Sequence, residues 1–120
     1  MHAEGLFADL PIEEPHPGLR RRSFDSRQAT VNEYTFEPGA AFPLHRHPQE
    51  QITLVLEGDV ELTVAGGTIP LQEGGWSVVG GDVEHSVRAG ARGARIVAIV
   101  IPRRAAAGAY TVLGNPPSLR

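Results

Sequence analysis

An all-β fold in a single domain is predicted, and three observations predict it. Gly 14 and Pro 10 make up a fifth of the 120 residues, against ~12% in ordinary domains, which favours many turns and short strands. Apolar and alternating runs are short and bounded by Gly, Pro, Asn or Asp clusters, the pattern of strands. No stretch keeps an apolar 3.6-residue period long enough for an amphipathic helix. At 120 residues the chain can bury a core of its own but not two.

Taken in order, residues 1–18 carry Pro11, Pro15 and Pro17 among acids, which predicts an extended arm of the kind that lies on a partner subunit. The barrel is expected over 19–113. Residues 19–24 can form a strand whose Arg20, Arg21 and Arg22 alternate faces, read as a solvated edge or an anion site. A second strand over 28–37 puts Asn32, Tyr34 and Phe36 on one face, which should look inward and bring Tyr34 to the cavity or the core. Residues 52–57 and 59–65 read as paired strands joined at Gly58-Asp59, and Gly66-Gly67 as a hairpin turn into 68–71. Glu73-Gly74-Gly75 turns the chain into 76–79, and 80–84 bends before His85. Residues 114–120 read as a frayed tail. The runs 52–56 and 96–101 are apolar on both strand parities, so their outer faces need a cover, which predicts a homodimer.

The stretch G-A-A-F-P-L-H-R-H-P-Q-E-Q-I-T-L-V-L-E-G over 39–58 carries the chemistry. His45 and His47 leave one face of a strand side by side. If Pro48 breaks that strand and a new one begins near Gln51, the carboxamide returns to the same point, with Thr53 and Val55 following on that face. Glu50, the only nearby carboxylate, is the rival ligand, although it has the opposite parity. His2 and His16, in the arm, read as surface or satisfied core residues.

This spacing resembles the first motif of the cupins, a glycine, H-x-H, an acid and a closing glycine, onto which Gly39, His45, His47, Gln51 and Gly58 fall. The second cupin motif is matched by Gly74 and His85, with Gly80 at its proline and Asp82 at its second glycine. The resemblance implies a jelly-roll double-stranded β-helix barrel with His45, His47, His85 and Gln51 holding one divalent transition metal ion (Zn, Ni, Fe, Mn or Cu). Gln51 replaces the usual glutamate, as in cupins similar to those of pectin and uronate breakdown.

Composition excludes several classes. A net charge of -3 gives no basic footprint for nucleic acid. No cysteine is present, so no disulfide framework or thiolate zinc site exists and any metal is held by nitrogen and oxygen. Neither a basic, apolar leader nor a ~20-residue apolar span is seen, which predicts a soluble, cytoplasmic protein without membrane or nucleic-acid partners. The expected function is a metal-dependent enzyme acting on a small oxygenated substrate by Lewis-acid isomerisation, tautomerisation or elimination, with Tyr34 or Glu50 moving the proton. Two alternatives stand beside it: a metal-dependent dioxygenase or polyketide-tailoring oxygenase or cyclase, and a non-catalytic barrel that binds a small molecule. Tyr34, Phe42, Thr53, Trp76 and Val87 are candidates for the cavity wall.

Overall fold

The computed structural model describes residues 2–104 and 111–114, so all but the first residue of the tail expected at 114–120 lies outside them. After a short 3-10 turn at Phe7–Asp9 come the strands β1 (Glu13–His16), β2 (Leu19–Asp25), β3 (Thr30–Phe36), β4 (Ala41–Arg46), β5 (Glu50–Val64), β6 (Gly67–Gln72), β7 (Trp76–Val79), β8 (His85–Ile101) and β9 (Thr111–Gly114). The expected all-β architecture is the one found. Every ladder is antiparallel: β1-β2-β3-β8-β4-β9 run side by side, while β5 pairs with β6, β7 and β8. Among the described residues no helix is long and apolar enough to cross a membrane.

Two long strands organise the rest. β5 pairs with β8 from Glu50↔Ile101 at one end to Val64↔His85 at the other, with irregularities between Val55 and Glu57 and between Gly58 and Val60. The other partners of β8 divide in the same way: β3 takes its C-terminal half, through Thr30↔Val100 to Phe36↔Ala94, and β4 takes its N-terminal end, through Ala41↔Arg88 to His45↔His85. The ladder is thus wound into a barrel. Inward side chains from these strands, among them Leu19, Phe36, Val55, Leu62, Val87 and Ile96, form one apolar core.

Residues Glu50–Val64 form one continuous strand, not the two paired strands expected from Gly58-Asp59. Gly58 sits at φ 72, which reads like a turn in sequence. It bends one continuous strand instead, because an extra residue in a ladder kinks and twists it without reversing it. The reversal comes at Ala65 (φ 48) and Gly66 (φ 83), where Val64 pairs with Gly67. Positive φ at both central residues is the signature of a tight hairpin turn. The three arginines of β2 do not form a solvated edge, since β2 is paired on both sides by β1 and β3. Parity sends Arg21 into the barrel, where its guanidinium bonds Glu13 Oε1 at 3.2 Å and the Tyr34 hydroxyl.

The bend at Gly58 is a point of close approach: a Cβ there would run into the Gly93 carbonyl oxygen, whereas one at Gly66 meets nothing within 4 Å. Left-handed backbone costs an L-residue roughly 1–2 kcal/mol, and the collision adds to that at position 58 alone. In urea denaturation Gly66→Ala should therefore lose about 1 kcal/mol and Gly58→Ala about 3 kcal/mol or more. Equal losses would show that the bend is not sterically enforced.

Candidate metal centre

Strand parity and barrel closure bring the predicted residues together. His45 is directly opposite His85 across the β4·β8 ladder, with ring centroids 4.1 Å apart. His47 follows just past the end of β4, its ring 4.9 Å from that of His85. One ring nitrogen of each of the three lies within 4.8 Å of those of the other two, and the side chains are deeply buried: His45 is 4%, His47 8%, Gln51 8% and His85 1% exposed. The loops that carry them are tied, the Asp82 amide donating to the His47 carbonyl at 2.7 Å. Asp82, standing at a glycine of the cupin pattern, has φ 60. Aspartate is among the few L-residues that tolerate this region, so the substitution keeps the backbone path.

Hydrogen bonds set the tautomer of each ring. Nδ1 of His45 meets the Pro43 carbonyl at 2.7 Å, that of His47 the Gln49 carbonyl at 3.0 Å, and that of His85 the Val83 carbonyl at 2.9 Å. A carbonyl oxygen only accepts, so each Nδ1 carries the proton and each Nε2 of a neutral ring keeps its lone pair. Gln51 is oriented in the same way, its Nε2 donating to Thr53 Oγ1 at 3.1 Å. Its Oε1 then faces His47 Nε2 at 3.1 Å and His85 Nε2 at 3.4 Å. Four lone pairs converge with no proton between neutral partners, which is a mutual repulsion that a cation turns into attraction. The two Gln51 distances match a divalent ion, whose bonds of ~2.1 Å to nitrogen and oxygen put neighbouring donors ~3.0–3.4 Å apart, and the histidine nitrogens, within 4.8 Å of one another, would draw closer on binding.

Electrostatics favours the unprotonated rings. Burial, reinforced by the neighbouring His85 and opposed by the Pro43 carbonyl, pushes His45 down to about 3. Burial, opposed by the Val83 carbonyl and reinforced by His47, pushes His85 down to about 4. Metal ligation requires neutral imidazole, so neither ring has to lose a proton first at neutral pH.

The other predicted residues are distributed around this group. Tyr34 walls it: two small cavities, each about 20 Å³, flank the histidines, and Tyr34, Phe42, His45 and Gln51 line both. Val87 lines the first of these, and Thr53 is buried behind Gln51. Glu50 is exposed, on the opposite parity of β5 from Gln51, and is not part of the ligand group. Trp76, 67% exposed, stands on the outer surface, so it does not line the cavity. A wide concavity of about 1030 Å³ also lies elsewhere, open to solvent around Glu57, Gly58, Arg92 and Arg95, and contains no site residue.

His16 takes the second of its two expected readings, a packed core residue: β1 sets it edge-on against Phe42, ring centroids 4.7 Å apart, and burial followed by Arg21 lowers its pKa. Two residues escaped the sequence reading. Gln49 and Arg104 line the second cavity beside His45 and His47. Gln49 lies within the motif but at no ligand position, and Arg104 follows the last recognisable strand, so no spacing rule points to either.

A cupin domain model matches residues 32–101. The chain is a cupin. No curated protein matches its sequence. Among solved structures, an RmlC-like cupin from Shewanella frigidimarina NCIMB 400 superposes with TM-score 0.80 at 23% identity, over 88% of this chain and 95% of that one. KdgF from a Halomonas species does so with TM-score 0.81 at 20% identity, over 88% and 97%. Bacillus subtilis oxalate decarboxylase, an enzyme with Mn(II) centres, gives TM-score 0.80 at 19% identity, over 89% of this cupin but only 31% of its own length. At these identities the likenesses establish the fold alone.

Because burial holds His45 and His85 below the ordinary 6.5, unfolding takes up protons as pH falls below 6.5. Their contribution to stability is full above that pH and is lost on descent towards 4 and 3. Metal-free protein should therefore lose up to ~1.4 kcal/mol per pH unit for each ring in this window. Urea midpoints from pH 7.5 to 4.5 measure it, and a double variant His45→Phe/His85→Phe should show a visibly flatter slope.

Proposed function

We propose that this cupin is a metal-dependent enzyme that binds one divalent transition ion (Zn, Ni, Fe, Mn or Cu) through His45, His47, His85 and Gln51 and acts on a small oxygenated molecule. The observation that carries this reading is the convergence of four lone pairs whose tautomers and amide orientation are fixed from behind. Such supporting bonds are what hold metal ligands in place. The ion supplies Lewis-acid chemistry, polarising an oxygen of the bound molecule. Gln51 contributes an uncharged oxygen, so the donor set leaves the charge of the ion unneutralised. The apolar ring of Phe42 and the buried Val87 keep water from this wall. Tyr34 is the residue assigned to move a proton; its hydroxyl is held by Arg21 and its ring lines both cavities. Glu50 takes no part, since its carboxylate lies outside the barrel. The glutamine-containing uronate-processing cupins that the motif resembles favour isomerisation or tautomerisation.

The proposed assembly is a homodimer formed through the outer face of β7, β5, β8, β3 and β2. One apolar row crosses it in register, Val78–Ile52–Ile99–Val31–Phe24, and the adjacent row begins Trp76–Leu54–Val97. Trp76 and Val78 are more than half exposed. A face of this kind is an interface when it covers itself. The cysteine-free chain needs no oxidising compartment, in keeping with work in the cytoplasm.

Elemental analysis of protein purified without a tag or chelator should find one divalent ion per chain. His47→Ala should lose most of it, and Gln51→Glu should keep or tighten it while moving the onset of activity to higher pH, because an added negative charge weakens the Lewis acid. No metal in the wild type after reconstitution would overturn the reading, and oxygen uptake by iron- or copper-loaded protein would move it to an oxygenase. Light scattering should return twice 12.9 kDa, and Trp76→Asp combined with Leu54→Asp should halve that mass. A wild-type monomer at micromolar concentration would refute the dimer.

A further inference from the structure

The second cavity beside the histidines has an unusual charge balance. Its wall includes His45, His47, Gln51, Asn32, Gln49 and Arg104, and neither cavity is lined by an aspartate or glutamate. Arg104 is fixed where it stands: its backbone amide donates to Thr30 Oγ1 at 2.9 Å and its Nη2 to Asn32 Oδ1 at 3.0 Å. Asn32 is itself held by Ser23 Oγ at 2.7 Å and the Ala98 carbonyl at 3.1 Å. Two buried polar atoms at this wall, Arg104 Nε and Gln49 Oε1, have no hydrogen-bond partner among the described residues. One is a charged donor and the other an acceptor.

Buried polar atoms are normally satisfied, and a buried cation without a counter-charge is costly. With a divalent ion on the four ligands, the positive charge in this interior rises further while neither cavity wall offers a carboxylate against it. We infer that the missing partner is the substrate, and that Arg104 and Gln49 form a subsite for a short carboxylate bearing a hydroxyl on the adjacent carbon. The carboxylate oxygen accepts from Arg104 Nε, in the charge-assisted bond that guanidinium groups make best. The hydroxyl proton goes to Gln49 Oε1, and the hydroxyl oxygen is left facing the histidines. Each cavity is about 20 Å³, room for about one water, so a short acid seats only as the half-buried Arg104 side chain gives way, and a longer one needs a wider swing. This assignment of substrate class rests on the metal reading above, but the unpartnered Arg104 donor stands without it.

The test is calorimetric titration of zinc-loaded protein with glycolate and with its uncharged isostere glycolamide. Wild type should bind glycolate at least tenfold more tightly than glycolamide. Arg104→Gln should erase that preference while zinc content and melting temperature stay unchanged, and Arg104→Lys, which keeps the charge but not the fork, should retain part of it. The proposal is overturned if wild type does not discriminate between the two, or if Arg104→Gln still does. Should wild type take no zinc, the metal reading fails separately. The Arg104 ¹⁵Nε–H resonance of the metal-free protein then decides: a shift on adding glycolate and not glycolamide upholds the subsite, and no shift removes it.

Discussion

The centre of this cupin depends on the two ends of one β-ladder meeting. Gln51 pairs with Val100 at one end of β5·β8, and Val64 pairs with His85 at the other. Thirteen residues of straight strand would separate Gln51 from Val64 by ~43 Å. Yet Gln51 Oε1 lies 3.4 Å from His85 Nε2. Only a ladder wound back on itself allows this, and the winding is concentrated where the register slips, between Val55 and Val60. There Gly58 and Gly93, both at positive φ, approach too closely for a side chain. The geometry that makes the core is thus the same geometry that brings the three histidines and Gln51 together.

Closure also explains what could be read in the sequence. Side-chain alternation has period two and survives any bending, so the inward placement of His45, Gln51, Thr53 and Tyr34 was legible from parity, as was the outward placement of Glu50. A glycine at positive φ reads the same in a bulge and in a hairpin, so Gly58 was mistaken for a reversal. The partners of Arg21, His16 and Arg104 were illegible for a different reason. Each residue acquires them from strands distant in sequence: Tyr34 for Arg21, Phe42 for His16 and Asn32 for Arg104. No local pattern encodes such contacts. Trp76 was ambiguous because β7 is short and its two faces carry similar residues.

The centre is held from behind more firmly than from within. Three backbone carbonyls and one threonine hydroxyl fix three rings and an amide, and burial keeps His45 and His85 neutral. What faces inward is acceptor against acceptor, an arrangement whose cost the fold sustains through packing. Donors already free of a proton bind a cation without first releasing one, and a glutamine in place of a carboxylate would give an ion there geometry but no compensating charge.

The three imidazoles present Nδ1–H to backbone carbonyls and turn their Nε2 lone pairs to one point. Long-range ¹H–¹⁵N correlation spectra of the metal-free protein at pH 7 test it directly. Three rings with protonated Nδ1 and unprotonated Nε2 are expected, and on adding one equivalent of ¹¹³Cd(II) a scalar coupling from the metal to all three Nε2 nuclei. A proton on Nε2 of His45, His47 or His85, or cadmium coupling to fewer than three of them, would contradict it.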